Sequence, residues 1–203
     1  MPVPSPALTD DLRHQYQALF HGCVINPNRQ SLVAAAVQHL AGNQARYHAV
    51  GDPLAIPWFF IGLIHNMEAS LNFNCHLHNG DPLTARTVQY PPNRPAAGNP
   101  PFTWEQSATD ALKLRRLDQV KDWTLPGVLY QLEGYNGWGY RRLSPPVNTP
   151  YLWSFSNQYT SGKFVADHKY DANAVSQQCG AAVLLFKMVQ AELAQFPAAA
   201  ASS

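Results

Sequence analysis

The sequence predicts a mainly α fold, α+β in detail, with a small hairpin or loop lobe. Three observations predict it. Several segments repeat apolar residues at helical spacing between cap residues. The apolar run from Ala55 to Ser70 reads as a helix buried on most sides. Residues 72–102 hold little periodicity and many Pro, Asn and Gly, so they read as a long loop with a short hairpin around Thr84–Tyr90. A chain of 203 residues suits one domain, 1–203, whose ends 1–7 and 198–203 are expected to be flexible.

Taken in order, Thr9 is an N-cap for a helix from Asp10 to about Phe20, with two aspartates at its positive end. Ser31 caps a second helix, from Leu32 to about His39, and Gly42 ends it. Pro53 and Pro57 bracket the entry to the apolar helix, since proline is tolerated in a first turn where its missing N–H had no partner. Thr103-Trp104-Glu105-Gln106 has the form of a capping box and opens a helix through Leu114. Pro126 falls in the first turn of a helix from Leu125 to about Glu133, which the glycine-rich stretch after it breaks. Tyr151–Ser156 is a short apolar piece, helix or strand. Ala172 to Phe196 carries the longest helical pattern, with Gly180 as a close-packing site inside it.

Composition narrows the function. The charged share is only 13% and the net charge +1, with no basic tract, so nucleic acid is not an expected partner. Cys23, Cys75 and Cys179 are an odd set without ligand spacing, which fits a reducing compartment rather than a disulfide framework. Met1–Pro6 lacks the charged-then-apolar plan of a signal peptide. The apolar run is broken by His65 and Glu68 too soon to span a bilayer. The expectation is a monomer made in the cytoplasm without a signal peptide and without membrane insertion.

Glu68 carries the chemistry. A carboxylate rarely sits in an apolar helix without a role, and loss of water raises its proton affinity. A glutamic acid protonated near neutrality donates to a leaving oxygen. The plainer reading is a structural Glu bonded to a backbone amide or an arginine. Asp81 follows in Gly80-Asp81-Pro82, where turn chemistry alone explains an Asp. As a wet, ionised group it orients or deprotonates water. One carboxyl in an oily wall and one in a wet loop is the layout of general acid/base hydrolysis. Thr84 and Thr87 are candidates to hold the water, or are simply strand residues.

His65, His76 and His78 form a rival constellation, since imidazoles with a carboxylate bind zinc. No His-Glu-x-x-His motif is present. The simpler reading has His65 bracing the active-site helix and His76 and His78 ordering the loop. A thiol mechanism through Cys75 with His76 or His78 is a weaker rival. Gly134-Tyr135-Asn136-Gly137-Trp138-Gly139-Tyr140 combines glycines with polar aromatics, which suit sugar rings or a packed turn. Trp153 extends that character. His65, His78, Tyr135, Asn136, Trp138, Tyr140 and Trp153 are therefore the substrate-binding candidates.

The stretches Ile64-His65-Asn66-Met67-Glu68-Ala69-Ser70 and His76-Leu77-His78-Asn79-Gly80-Asp81-Pro82-Leu83-Thr84-Ala85-Arg86-Thr87, with the two aromatic blocks, resemble lysozyme-like peptidoglycan hydrolases of bacteria and phages. The likeness lies in the middle of the chain. It implies a lysozyme-like domain in which a catalytic Glu ends a helix and a following loop or hairpin carries an Asp or Thr that positions water. Glu68 matches the acid, and Asp81, Thr84 and Thr87 the water site. The implied reaction cleaves the β-1,4 bond of peptidoglycan, or of a chitin-type glycan, without metal or cofactor. It also implies action on the cell wall after release or secretion. Two other classes stay open: a zinc-dependent peptidoglycan amidase or peptidase using His65, His76 and His78, and a non-catalytic glycan-binding module.

Overall fold

Thr9 caps the first helix, its Oγ1 accepting the Leu12 N–H at 3.3 Å. A computed structural model describes residues 5–166 and 169–197. The tail 198–203 and the start of the leader lie outside the described residues. Within the leader, the Pro6 carbonyl accepts the Tyr130 hydroxyl at 2.8 Å, so that part is fastened rather than loose.

The helices are α1 Asp10–His21, α2 Gln30–Gly42, α3 Gln44–Gly51, α4 Trp58–Ala69, α5 Trp104–Leu114, α6 Leu125–Asn136, α7 Pro150–Trp153 and α8 Ala181–Gln190. The one described sheet is an antiparallel hairpin of β1 Lys163–Ala166 and β2 Lys169–Asp171, with Phe164 opposite Tyr170. The fold is mainly helical. Among the described residues no single helix is long and apolar enough to cross a membrane.

Four expectations change. α2 begins at Gln30, straight out of a 3-10 turn opened by Pro27, so Ser31 lies inside the helix rather than capping it. α3 is additional to the expected helices, because its apolar residues are too few to show a period. α8 starts only at Ala181, because Gly180 is its N-cap and packs directly on the Leu152 carbonyl and Trp153 N–H. Gly180 is thus a close-packing site, but at a helix end. The hairpin is formed by β1 and β2, not around Thr84–Tyr90, where the Val88 and Gln89 N–H groups bond the Asp81 side chain and Thr87 bonds the backbone of Asn93 and Arg94.

The chain divides into two compact units, one up to Val37 together with Asp122 onward, the other Gln38–Lys121. In the first, α1 packs on α6, α6 on α7 and α7 on α8. Tyr16, Leu129, Leu132, Leu152, Trp153 and Leu184 are fully buried there, as expected for faces repeating every three to four residues. In the second, α4 packs on α3 and α3 on α5. Gly62 allows α4 to approach closely, since a Cβ there would come within 2.9 Å of Leu40 Cδ2 and 3.4 Å of the Tyr47 ring.

Candidate functional site

Glu68 sits in the last turn of α4, where the helix leaves its apolar surroundings. Residues 58–65 and Ala69 are buried, whereas Asn66, Met67 and Glu68 are half-buried. Ser70 then takes a left-handed conformation at φ 49° and stops the helix, its N–H bonding the Asn66 carbonyl at 3.2 Å. The chain returns through Gly80, at φ 81°, whose backbone lies so close that a Cβ would meet the Glu68 carbonyl oxygen at 2.8 Å. This brings the turn carrying Asp81 to the helix end carrying Glu68.

The burial of the two acids is the reverse of what the sequence suggests. Asp81 is the buried one, at 8% exposure, and it is not wet. Its Oδ2 accepts the backbone N–H groups of Val88 at 2.8 Å and Gln89 at 3.0 Å and the Asn79 amide at 3.1 Å. Its Oδ1 accepts the Gln89 side-chain amide at 3.2 Å. Burial alone pushes this carboxyl up, but the donors of Val88, Gln89 and Asn79, with His76 nearby, outweigh it and hold it below its ordinary value. It is therefore an ionised anchor of the loop. Thr87 is also committed, with its Oγ1 donating to the Pro91 carbonyl at 2.5 Å and accepting the Arg94 N–H at 2.9 Å. Thr84 is exposed.

The histidines separate into two settings. His65 is fully buried in an aromatic box, its ring centroid 4.5 Å from Phe73 and 4.8 Å from Trp104. Its Nδ1 bonds the Tyr47 hydroxyl at 3.0 Å, and its Nε2 lacks a partner of good hydrogen-bond geometry. Burial pushes its pKa down to about 4, the Asn72 backbone offsetting only part of this. It braces α4, as one of the sequence readings expects, and does not face a substrate.

His76 and His78 are joined through Ser107 of α5. His76 Nε2 meets the Ala85 carbonyl at 2.8 Å, so it carries the proton, and its Nδ1 faces Ser107 Oγ at 2.8 Å. His78 Nε2 meets Asp110 at 2.8 Å and its Nδ1 faces the same Ser107 Oγ at 3.4 Å. Arg94 holds Asp110 with two bonds of 2.7 and 2.8 Å. Burial lowers the His78 pKa, with Asp110 opposing and His76 and Arg94 reinforcing. These rings tie the loop to α5. Their nitrogens are occupied by protein groups, which removes the basis for the zinc alternative and for Cys75 as a thiol nucleophile served by them. Among the described residues no group of three or more His, Cys, Asp or Glu side chains is arranged to hold a metal.

The aromatic candidates belong to the first unit. Trp153 is only 1% exposed and is core, not cleft floor. Trp138 is buried too, its ring tilted against Tyr130 with centroids 4.8 Å apart and seated on Gly134, where a Cβ would come within 3.0 Å of its ring. Tyr135 and Tyr140 are likewise buried, the Tyr140 hydroxyl accepting the Phe164 N–H at 3.1 Å. Large rings lose too much by staying in water to be left exposed when a core is available. One part of the expectation remains available. Asn136 and the edge of Tyr140, with Gly137, Gly139 and residues 164–166, line an open cavity of about 540 Å³.

Sequence reasoning missed the most buried carboxylate among the described residues. Glu133 of α6 is 3% exposed, accepts the Tyr16 hydroxyl at 2.6 Å and pairs with Arg141 at 2.7 Å. Burial first, then the Glu133 charge, raise the Tyr16 pKa, so the phenol stays protonated and donates. The signal was present: Glu133 ends an apolar run much like the one before Glu68, and Arg141 follows shortly after. Clamped by a guanidinium, Glu133 is a structural anion.

Compared with known protein families, curated proteins and solved structures, the chain matches none.

Proposed function

We propose that this protein is a lysozyme-like glycoside hydrolase that cleaves the β-1,4 glycan backbone of peptidoglycan, with Glu68 as general acid. One observation carries the reading: the Gly80 backbone rests on the Glu68 carbonyl and holds an ionised Asp81 next in sequence to it. Glu68 donates its proton to the glycosidic oxygen as the C1–O bond breaks, and the sugar carbon takes up positive charge. Water then adds to that carbon and gives up a proton, restoring the acid. Asp81 has spent its oxygens on loop donors, so its part is a fixed negative charge and a rigid loop rather than proton abstraction. Thr84, exposed on the same loop, is the hydroxyl candidate for holding water.

A non-catalytic glycan-binding module is the second reading, favoured by the committed state of Asp81 and Thr87. Glu68→Gln separates the two. The substitution is expected to leave the protein folded and to abolish the release of new reducing ends from purified sacculi. A Gln variant as active as the parent refutes the acid role. Sedimentation with sacculi by a parent protein that releases no reducing ends establishes the binding module instead.

A further inference from the structure

A cavity of about 580 Å³ in the first unit shares no residue with the site described above. Its walls come from the segment after α1, the first turns of α2 and the last turns of α8. Val24, Ile25 and Phe186 supply an apolar wall, Gln30 and Gln190 two amides, and Lys187 a positive charge that no carboxylate among the lining residues opposes.

The wall is preformed. Val24 N–H donates to Asn157 Oδ1 at 2.8 Å, Asn157 N–H donates to the Val24 carbonyl at 3.0 Å, and Asn26 N–H donates to the Phe155 carbonyl at 2.9 Å. On this pinned backbone Val24 is 61% exposed and lines the cavity, so its apolar surface is held there and not released by a loose chain. The volume lies within the range of small-molecule sites, which pair apolar walls with a few placed polar groups. A single lysine without arginine matches one negative charge and not a di- or triphosphate. Arg29, the nearest arginine in sequence to α2, is engaged over the Phe155 ring and by Gln177.

We infer that this cavity binds a single-chain amphipathic carboxylate, its alkyl chain along Val24, Ile25 and Phe186 and its carboxylate on Lys187 with the Gln190 amide. This is independent of the hydrolase reading. The test is calorimetric and NMR titration of the full chain with octanoate, with octan-1-ol as the uncharged control. Saturable octanoate binding is expected, tighter than octanol, weakened about tenfold by Lys187→Met through loss of a charge-assisted contact. Ala34→Phe, which fills the cavity from α2, is expected to abolish it. Gln190→Glu, at an exposed position, is expected to weaken octanoate and spare octanol, which keeps the test open if either other variant misfolds. Octanoate binding no tighter than octanol, or unchanged by a folded variant of this set, overturns the assignment.

Discussion

Gly80 lies against the carbonyl oxygen of Glu68, so close that a side-chain carbon at position 80 would stand 2.8 Å from it. Its φ of 81° is one that glycine adopts without strain and other residues do not. The helix end with the candidate acid and the turn with the ionised aspartate are therefore fitted together by one residue without a side chain.

Gly80→Ala should lose stability on both counts, by about 1–3 kcal/mol. Urea unfolding reads this directly. Glycan cleavage should fall as well, since the turn must move off α4. A variant as stable as the parent would show that the turn and helix end can part freely.

Asp81→Asn removes the charge that gathers the Val88, Gln89 and Asn79 donors, at a cost of about 1–3 kcal/mol near neutral pH. The folded carboxyl is held below its ordinary 3.8, so its contribution is present above that value and lost as pH falls through the folded value. The gap between parent and variant midpoints should thus close on strong acidification. A gap independent of pH contradicts the charged clamp.

His65 carries a pH dependence of its own. Its folded pKa of about 4 lies below the ordinary 6.5, so the unfolded chain binds the extra proton first. Stability should be full above pH 6.5 and decline toward pH 4, by about 3 kcal/mol across the window. His65→Gln, which retains a partner for Tyr47, should flatten that part of the profile. Urea midpoints across the window check it, and parallel parent and variant curves would rule it out.

Arg141→Met leaves Glu133 buried without its cation, which costs about 3–5 kcal/mol. Adding Glu133→Gln should recover part of the loss, because an uncharged amide still accepts the Tyr16 hydroxyl. A double variant no more stable than Arg141→Met would mean that the charge is not what makes the single change costly.

Trp138→Ala tests stability more than sugar binding. The ring is buried on Tyr130 and Gly134, so about 3–5 kcal/mol should be lost on truncation. A soluble variant with the parent's melting temperature and weakened glycan binding would return Trp138 to a ligand surface.

Much of the helical framework was legible because its signals are local. The Thr103 capping box, with its two reciprocal bonds, and the Thr9 cap each act within one turn. Pro126 marks the start of α6 for the same reason. α3 and the late start of α8 were not legible. α3 is stabilised by packing on α4, and α8 begins where Gly180 meets Leu152 and Trp153, distant in sequence.

The candidate site was legible in residue type but not in role. Nothing local distinguishes Asp81, which collects donors from Val88 and Gln89, from an aspartate left in water. Trp153 and Trp138 read as a sugar platform because aromatic clusters in core and cleft have the same composition.

Sequence alone determined the helical class, most of the caps and the loop between Glu68 and α5, because helix propensity and turn chemistry act over a few residues. Only tertiary structure decided that Asp81 and Glu133 are the buried anions, that His76 and His78 meet at Ser107, and that Glu68 stands half-buried beside Gly80. Burial and pairing depend on which distant groups converge, and a carboxylate's charge state follows from those neighbours rather than from its place in the chain.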